Sequence, residues 1–443
     1  MSIMLNRFFN SYLCVGIIVY CLLFILIGNA FTWTTLVGFL ALLSSGSLLL
    51  YYCNRQDDYF TEGTLFAVVL VYSFVFVCLY YAVSYYYDND LYLFSKTDAK
   101  IYEGISNKMS ETTLDKAFII LKAKLKSFDD WGAPFFMSTI LRIYPSKIFL
   151  NVIYIFLGAF SSLYLYGIGK YLMSNKMAYI AAFAYSTSSF VIYFHGTFLK
   201  ESIFLFLVTG MFYYFYKFIE RRKIYYIALI VFFSLSVLFF RPVVTMFFGV
   251  GITLYYLTDK NNKILTVAIL FVVLLILLFG ASMAVDVFDR YTNNGNIEEV
   301  INSRDIGVSR QFDYIVNWVA TFIGPFPSLV SNLKHATVLF GPGLYLKMIL
   351  SLPFLLGVIY IIRYRIRDLY PMAVFCLVEM ISLTLISQAF ELRKGLPHVP
   401  ILFVLAFWYM DVADDEEQRL RKLAPIWFTI VAVIVLGWNI LRQ

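Results

Sequence analysis

About thirteen long apolar stretches follow one another almost without relief between residues 12 and 441 of this 443-residue chain. A helix that crosses a bilayer needs about 20 apolar residues. In hydrocarbon the backbone must satisfy its own polar groups, so such stretches fold as helices or not at all. The candidate spans are 12–33, 34–52, 64–86, 147–169, 177–197, 202–218, 224–240, 243–258, 263–284, 346–362, 369–390, 398–411 and 424–441. The expectation is an all-α polytopic transmembrane bundle of about 12–13 helices, forming a single integral membrane domain over residues 1–443. Composition agrees. Hydrophobic residues make up 61% and charged residues 14%, against about 45–50% and 25% in soluble domains. The ~10-residue alternating segments of a membrane β-barrel are absent.

The basic residues then give an orientation. With a cytoplasmic N-terminus, the predicted inner loops carry Arg7, Arg55, Lys170 with Lys176, Arg221-Arg222-Lys223, Lys260 with Lys263, Arg363-Arg365-Arg367 and Arg419-Arg421-Lys422. That is the positive-inside pattern, and only Arg442 falls on the wrong side. The net charge of +7 is therefore topological, not a sign of nucleic-acid binding. The first span lacks a signal-peptide cleavage pattern and reads as retained. The five cysteines have no metal or CxxC spacing and read as small packing residues. The expected location is the cell (inner or plasma) membrane, with several crossings and membrane lipids all round.

Under this orientation the outer face receives a first loop, 87–146, and a second, 285–345. It also receives three corners: His195 to Ser202, Arg241-Pro242, and Glu391 to His398. Within the first loop, Leu114, Phe118, Leu121, Leu125 and Phe128 form an apolar stripe at helical spacing, with lysines off it. This predicts an amphipathic interfacial helix over 112–128, opened by a Thr112/Asp115 capping box. Asp98 stands about ten residues past the end of a span. A carboxylate there can accept a proton from a sugar hydroxyl. A solvated loop aspartate has the same local spacing, and Asp130 beside Trp131 reads as such a loop charge.

Asp98, Ala99 and Tyr102, the stretch from Trp131 to Pro145, the span with Gly158, Tyr166 and Gly169, and the corner His195 to Ser202 together resemble the GT-C glycosyltransferases. These are polytopic enzymes that use polyprenyl-phosphate sugars, and the likeness is to the bacterial surface-polysaccharide type. It covers roughly residues 90–250 and, more faintly, 390–405. The resemblance implies an acidic catalytic residue at Asp98, with Tyr102 beside the substrate. The chain departs from the family in placing three spans before this loop and in lacking a large C-terminal soluble domain.

A phosphate-bearing lipid donor needs a cation at the membrane boundary, and the guanidinium fork suits it best. Lys200, Arg241, Arg393 and Lys394 are the candidates, with Glu201 and His398 at the same corners. Arg241 between two apolar runs should face protein or a watery cavity. Interfacial anchoring and helix capping would use the same residue types. Asp88-Asn89-Asp90 could hold a divalent cation, as the weaker alternative to a charged helix end; no other cofactor is called for. Glu379 lies near the middle of its span, where a carboxylate either bonds a neighbouring helix or marks a site. The second outer loop, with Arg290, Arg304, Arg310 and His335, has mixed charge and no assignable chemistry.

The sequence reads best as a membrane glycosyltransferase. It would move a sugar from a polyprenyl-phosphate donor to a lipid-linked or cell-surface glycan acceptor, with inversion, on the non-cytoplasmic face. One alternative is an O-antigen- or capsule-type polysaccharide polymerase or ligase using polyprenyl-diphosphate glycans. Another, of a different class, is a transporter or lipid-glycan flippase, which would show broken helices and several mid-membrane polar residues.

Overall fold

The computed structural model describes residues 2–27, 31–55, 59–125, 128–258, 317–331, 334–385, 392–412 and 417–441. Among these residues the regular structure is helical, with no strand. In chain order the helices are α1 (Ser2–Leu26), α2 (Trp33–Cys53), α3 (Glu62–Asp88), α4 (Lys96–Ser110), α5 (Leu114–Lys124), α6 (Gly132–Ile143), α7 (Lys147–Leu172), α8 (Asn175–Ser186) and α9 (Ser189–Gly196). They continue as α10 (Glu201–Arg221), α11 (Tyr225–Leu238), α12 (Pro242–Leu257), α13 (His335–Tyr364), α14 (Tyr370–Leu385), α15 (Leu392–Gly395), α16 (Val399–Val412) and α17 (Glu417–Leu441). Eight helical stretches are long and apolar enough to cross a membrane, and α8 with α9 makes a ninth that is bent by 52°. The protein is thus an all-α polytopic bundle.

Local chemistry sets the helix ends. Thr32, Thr61 and Ser146 accept the backbone N–H three residues on, opening α2, α3 and α7. Asn89, Arg222 and Arg365 take left-handed backbone positions that close α3, α10 and α13. Helices α10, α13 and α16 lie deepest in the bundle, whereas α1 and α17 pack together at its margin. Helix α13 runs between α2, α9 and α16.

The structure moves several sequence boundaries. The first span ends at Leu26 and the second opens at Trp33, rather than meeting at 33–34, and α1 starts at Ser2. The span at 177–197 is broken after Ser186. Helix α13 begins at His335, so residues 335–345 belong to a span and not to the second outer loop. Gly341-Pro342-Gly343 sits inside that helix because its glycines are close-packing points. A Cβ on Gly341 would lie 2.3 Å from the Ser328 carbonyl oxygen, and one on Gly343 would lie 2.7 Å from the Phe190 ring. Ser189 Oγ accepts the Gly343 N–H at 2.8 Å, and Leu339 O accepts the Tyr80 hydroxyl. Neighbouring helices thus tend backbone groups next to the proline. The expected span at 263–284, and Arg290, Arg304 and Arg310, lie outside the described residues.

In the first loop the amphipathic segment forms an α-helix over Leu114–Lys124. Thr113, not Thr112, occupies the cap, and the Thr112 hydroxyl donates to Met109 O, so the expected capping box does not form. Leu114 and Phe118 stay exposed while Leu121 is buried, which leaves an apolar strip at the bundle's end. Helices α4–α6 gather there. The basic corners at Arg55, Lys176 and Arg367 lie at the opposite end, where α2 packs beside α8 and α12 beside α14.

Candidate functional site

Four segments distant in sequence meet at the end of the bundle that carries α4–α6. Asp98 lies in the first turn of α4, not in a loop. An acidic residue is favoured there by the helix dipole. Lys200 and Glu201 open α10, immediately after the short α9. Arg241 precedes Pro242, which starts α12 and fixes the corner. Arg393 sits in α15, before the buried α16.

Arg393 is the hub. Its Nη1 donates to Asp98 Oδ2 at 2.6 Å and its Nε to Glu201 Oε1 at 2.7 Å. Arg241 Nη2 lies 3.7 Å from the same Glu201 oxygen, and Arg241 Nη1 donates to Lys394 O at 3.2 Å. Exposure falls along this chain. The Asp98 side chain is 43% exposed, Arg393 34%, Arg241 14% and Glu201 fully enclosed. Glu201 Oε2 has no hydrogen-bond partner among the described residues. The arrangement runs from an open carboxylate, through two guanidinium forks, to a sealed carboxylate that orients both.

A second layer holds the corner in place. Lys200 Nζ donates to Asp130 Oδ1 at 2.6 Å and to Phe240 O at 3.3 Å. Tyr102 donates its hydroxyl to the same Asp130 oxygen at 2.8 Å. Burial opposes ionisation of Asp130, but Lys200 outweighs it and holds the carboxyl below its ordinary range; Lys394 adds to the effect. Burial, with Asp130 behind it, pushes the Tyr102 hydroxyl well up, so it stays a donor. Gly132 lets the first loop approach this corner. Its N–H donates to Phe239 O at 3.0 Å, and a Cβ there would meet the Phe240 ring at 2.5 Å. On the other side His195 Nδ1 bonds Ser202 Oγ at 3.0 Å, and its ring lies against Gly158.

The expected residues Asp98, Lys200, Glu201, Arg241, Arg393 and Lys394 therefore come together. Tyr102 joins them, but buried and already bonded to Asp130, so it braces the corner rather than presenting a free hydroxyl. Asp130 is no bystander loop charge; it anchors Lys200 across 70 positions, and no local sequence signal marks that partnership. His398 departs from the group. It is buried, and its Nδ1 lies 3.6 Å from Glu379 Oε1 inside the bundle. Arg142 caps α4, donating to Met109 O and Thr112 O.

Asp88-Asn89-Asp90 forms a helix stop. Asn89 is the left-handed cap, and Asp90 Oδ1 accepts the Tyr92 N–H at 3.1 Å. Among the described residues no group of three or more His, Cys, Asp or Glu side chains could hold a metal ion. His335, expected in the second loop, stacks on Tyr87 at 4.1 Å and bonds Thr34.

Chemically, four cations (Lys200, Arg241, Arg393, Lys394) face three carboxylates (Asp98, Asp130, Glu201) at the boundary of an apolar bundle. Exposed Ile101, one turn from Asp98, and exposed Phe239 offer hydrocarbon beside the charges. Such a place suits a molecule with a lipid tail and an anionic head. No curated protein matches the chain. Residues 132–285, roughly a third of the chain, match the model of the dolichyl-phosphate-mannose-protein mannosyltransferase family. That stretch contains Lys200, Glu201 and Arg241 but neither Asp98 nor Arg393, and the likeness supports a membrane glycosyltransferase.

Proposed function

We propose that the protein transfers a sugar from a polyprenyl-phosphate donor to a hydroxyl of a lipid-linked or cell-surface glycan. Transfer occurs on the non-cytoplasmic face and inverts the anomeric carbon. The observation that carries this reading is Arg393, held at 2.6 Å from Asp98 and 2.7 Å from Glu201 with Arg241 alongside. A polyprenyl-phosphate sugar is a phosphodiester with one negative charge, and the surplus of one cation among the seven charged groups complements it. The positive-inside distribution of the remaining basic residues supports the face.

In the reaction, the donor phosphate engages the forks of Arg393 and Arg241, which releases Asp98 from Arg393. Asp98 takes the proton of the acceptor hydroxyl as its oxygen attacks the anomeric carbon. The bond from that carbon to the phosphate oxygen breaks, and polyprenyl phosphate leaves with one more negative charge. Arg393 and Arg241 stabilise that developing charge, and Glu201 keeps both forks aimed. One displacement at one carbon gives inversion.

A second reading, movement of a lipid-linked glycan, draws on the break between α8 and α9 and on Glu379 and His398 inside the bundle. One experiment separates the two. Purified protein in lipid nanodiscs is given a panel of radiolabelled polyprenyl-phosphate hexoses and a glycan-lipid extract. Release of polyprenyl phosphate with label in the acceptor, lost in Arg393→Gln, supports transfer. Unchanged donor throughout the panel, with transbilayer movement of the same lipids in proteoliposomes, would overturn it.

A further inference from the structure

Deeper in the bundle lies a second polar group that the transfer chemistry leaves unused. Glu379 on α14 and His398, in the turn between α15 and α16, are 3% and 2% exposed. Their nearest approach, His398 Nδ1 to Glu379 Oε1, is 3.6 Å, which is beyond a hydrogen bond. Both carboxylate oxygens and both ring nitrogens lack hydrogen-bond partners among the described residues. Four buried polar atoms without partners, on two adjacent side chains, are unusual in a packed interior. His195, also buried, differs: its Nδ1 is bonded and its Nε2 lies against Gly158 of α7, where helices touch. Lys347 Nζ is likewise committed, donating to Gly324 O.

Position gives the pair its meaning. His398 follows Arg393 by five residues and so lies just inside the bundle from the phosphate-binding fork. Arg241 shares Glu201 with Arg393 at that corner. The pair therefore stands behind the charged cluster, on the bundle side. Gly395 keeps the turn tight there, since a Cβ would meet the His398 ring at 3.2 Å.

We propose that Glu379 and His398 form a subsite that receives the hydroxyl groups of the sugar carried by the donor lipid. A carboxylate accepts from hydroxyls, and an imidazole both donates and accepts, so the two together can satisfy a vicinal diol. This inference rests on the transferase reading above. It assigns Glu379 and His398 a binding role: the phosphate is gripped by Arg393 and Arg241, and the attached ring is read by the pair behind them.

The test compares two lipids on the full-length protein in nanodiscs, by competition binding. One is polyprenyl phosphate without sugar; the other is whichever polyprenyl-phosphate hexose of a mannose, glucose and galactose panel binds the unaltered protein best. Glu379→Gln and His398→Gln should each weaken the glycosylated lipid about 10- to 100-fold and leave the bare lipid within about twofold. Equal losses for both lipids, or unchanged binding of both, would overturn the subsite and mean that the pair holds only water or packing. His398→Gln stands in if Glu379→Gln fails to fold, judged by its melting temperature. If the unaltered protein binds neither lipid, the transferase reading itself falls, and the subsite with it. If the unaltered protein binds both lipids alike, the subsite falls and the transferase reading stands.

Discussion

The two ends of this bundle use the same charged residue types for different work. At the end away from α4–α6, cations are spent on backbone carbonyls, on ring faces and on ion pairs with exposed carboxylates, Lys170 with Glu62 and Lys217 with Glu220. Lys176 donates to Cys53 O and Arg55 O at 2.7 and 2.9 Å, and Arg367 donates to Tyr255 O and lies over the Tyr255 ring. The carboxylate of Asp411 accepts the N–H and hydroxyl of Ser174. At the other end cations meet carboxylates from remote segments: Arg393 with Asp98 across 295 positions, and Arg393 with Glu201 across 192. Carbonyl-bound cations close helix ends and fix topology. Paired charges at the edge of an apolar bundle cost desolvation that simple capping avoids, and such clusters are where function concentrates.

The largest expected effects break the charged end. Asp98→Asn and Arg393→Gln should each lower kcat/KM by about 10²–10⁴-fold in a transfer assay, through loss of the base or of leaving-group stabilisation. Circular dichroism should be unchanged, because the Asp98 and Arg393 side chains are partly exposed.

Next comes the bracing layer. Gly158→Ala forces a Cβ to within 2.1 Å of His195 Nε2, beside the Ser202 bond that steadies the Lys200-Glu201 corner. Overpacking of this kind costs about 1–3 kcal/mol. Thermal melting in detergent should drop measurably, and kcat/KM should fall with it. A normal melting curve would mean that α7 and α9 can part at no cost.

Asp130→Asn should destabilise by about 1–2 kcal/mol, allowing for solvent screening of a side chain that is one-third exposed. The pH dependence fixes the sign. Lys200 holds the Asp130 carboxyl below its ordinary value of about 3.9, so the ion pair contributes fully above that pH. The contribution is lost as pH falls through the lower, folded value. The stability gap between the natural protein and Asp130→Asn should therefore be constant near neutrality and close on acidification below about pH 4. A gap that widened in acid would exclude this pairing.

Lys176→Met sharpens the contrast from the other side. It should cost about 1 kcal/mol in stability, the worth of its carbonyl bonds, and leave kcat/KM unchanged. An activity loss comparable to that of Arg393→Gln would erase the distinction between the two ends.

Much of this was legible in the sequence, for physical reasons. Hydrophobic length and basic loop clusters gave the polytopic class, because lipid imposes both. Asp98, Lys200, Glu201, Arg241 and Arg393 could be singled out because charges beside apolar spans are conspicuous. The Asp130–Lys200–Tyr102 contacts were not legible, since Asp130 lies in an unremarkable local setting and meets Lys200 and Tyr102 only after the first loop docks through Gly132. Asp88-Asn89-Asp90 was legible as a charged helix end, the reading favoured over a cation site, because an αL cap flanked by acidic residues is a common helix stop. Gly341-Pro342-Gly343 fell within the expected second outer loop; in the helix, Ser189 and Tyr80, both remote, supply hydrogen bonds to the backbone groups beside the proline.

The central claim is a division of labour: Arg393 holds the donor phosphate, and Asp98 acts on the acceptor. Equilibrium binding of polyprenyl phosphate to the two variants in nanodiscs tests it directly. Asp98→Asn should bind as tightly as the natural protein or more so, because Arg393 loses a competing carboxylate, while Arg393→Gln should bind at least about tenfold more weakly. Equal weakening in both variants, or weaker binding in Asp98→Asn alone, would contradict the account.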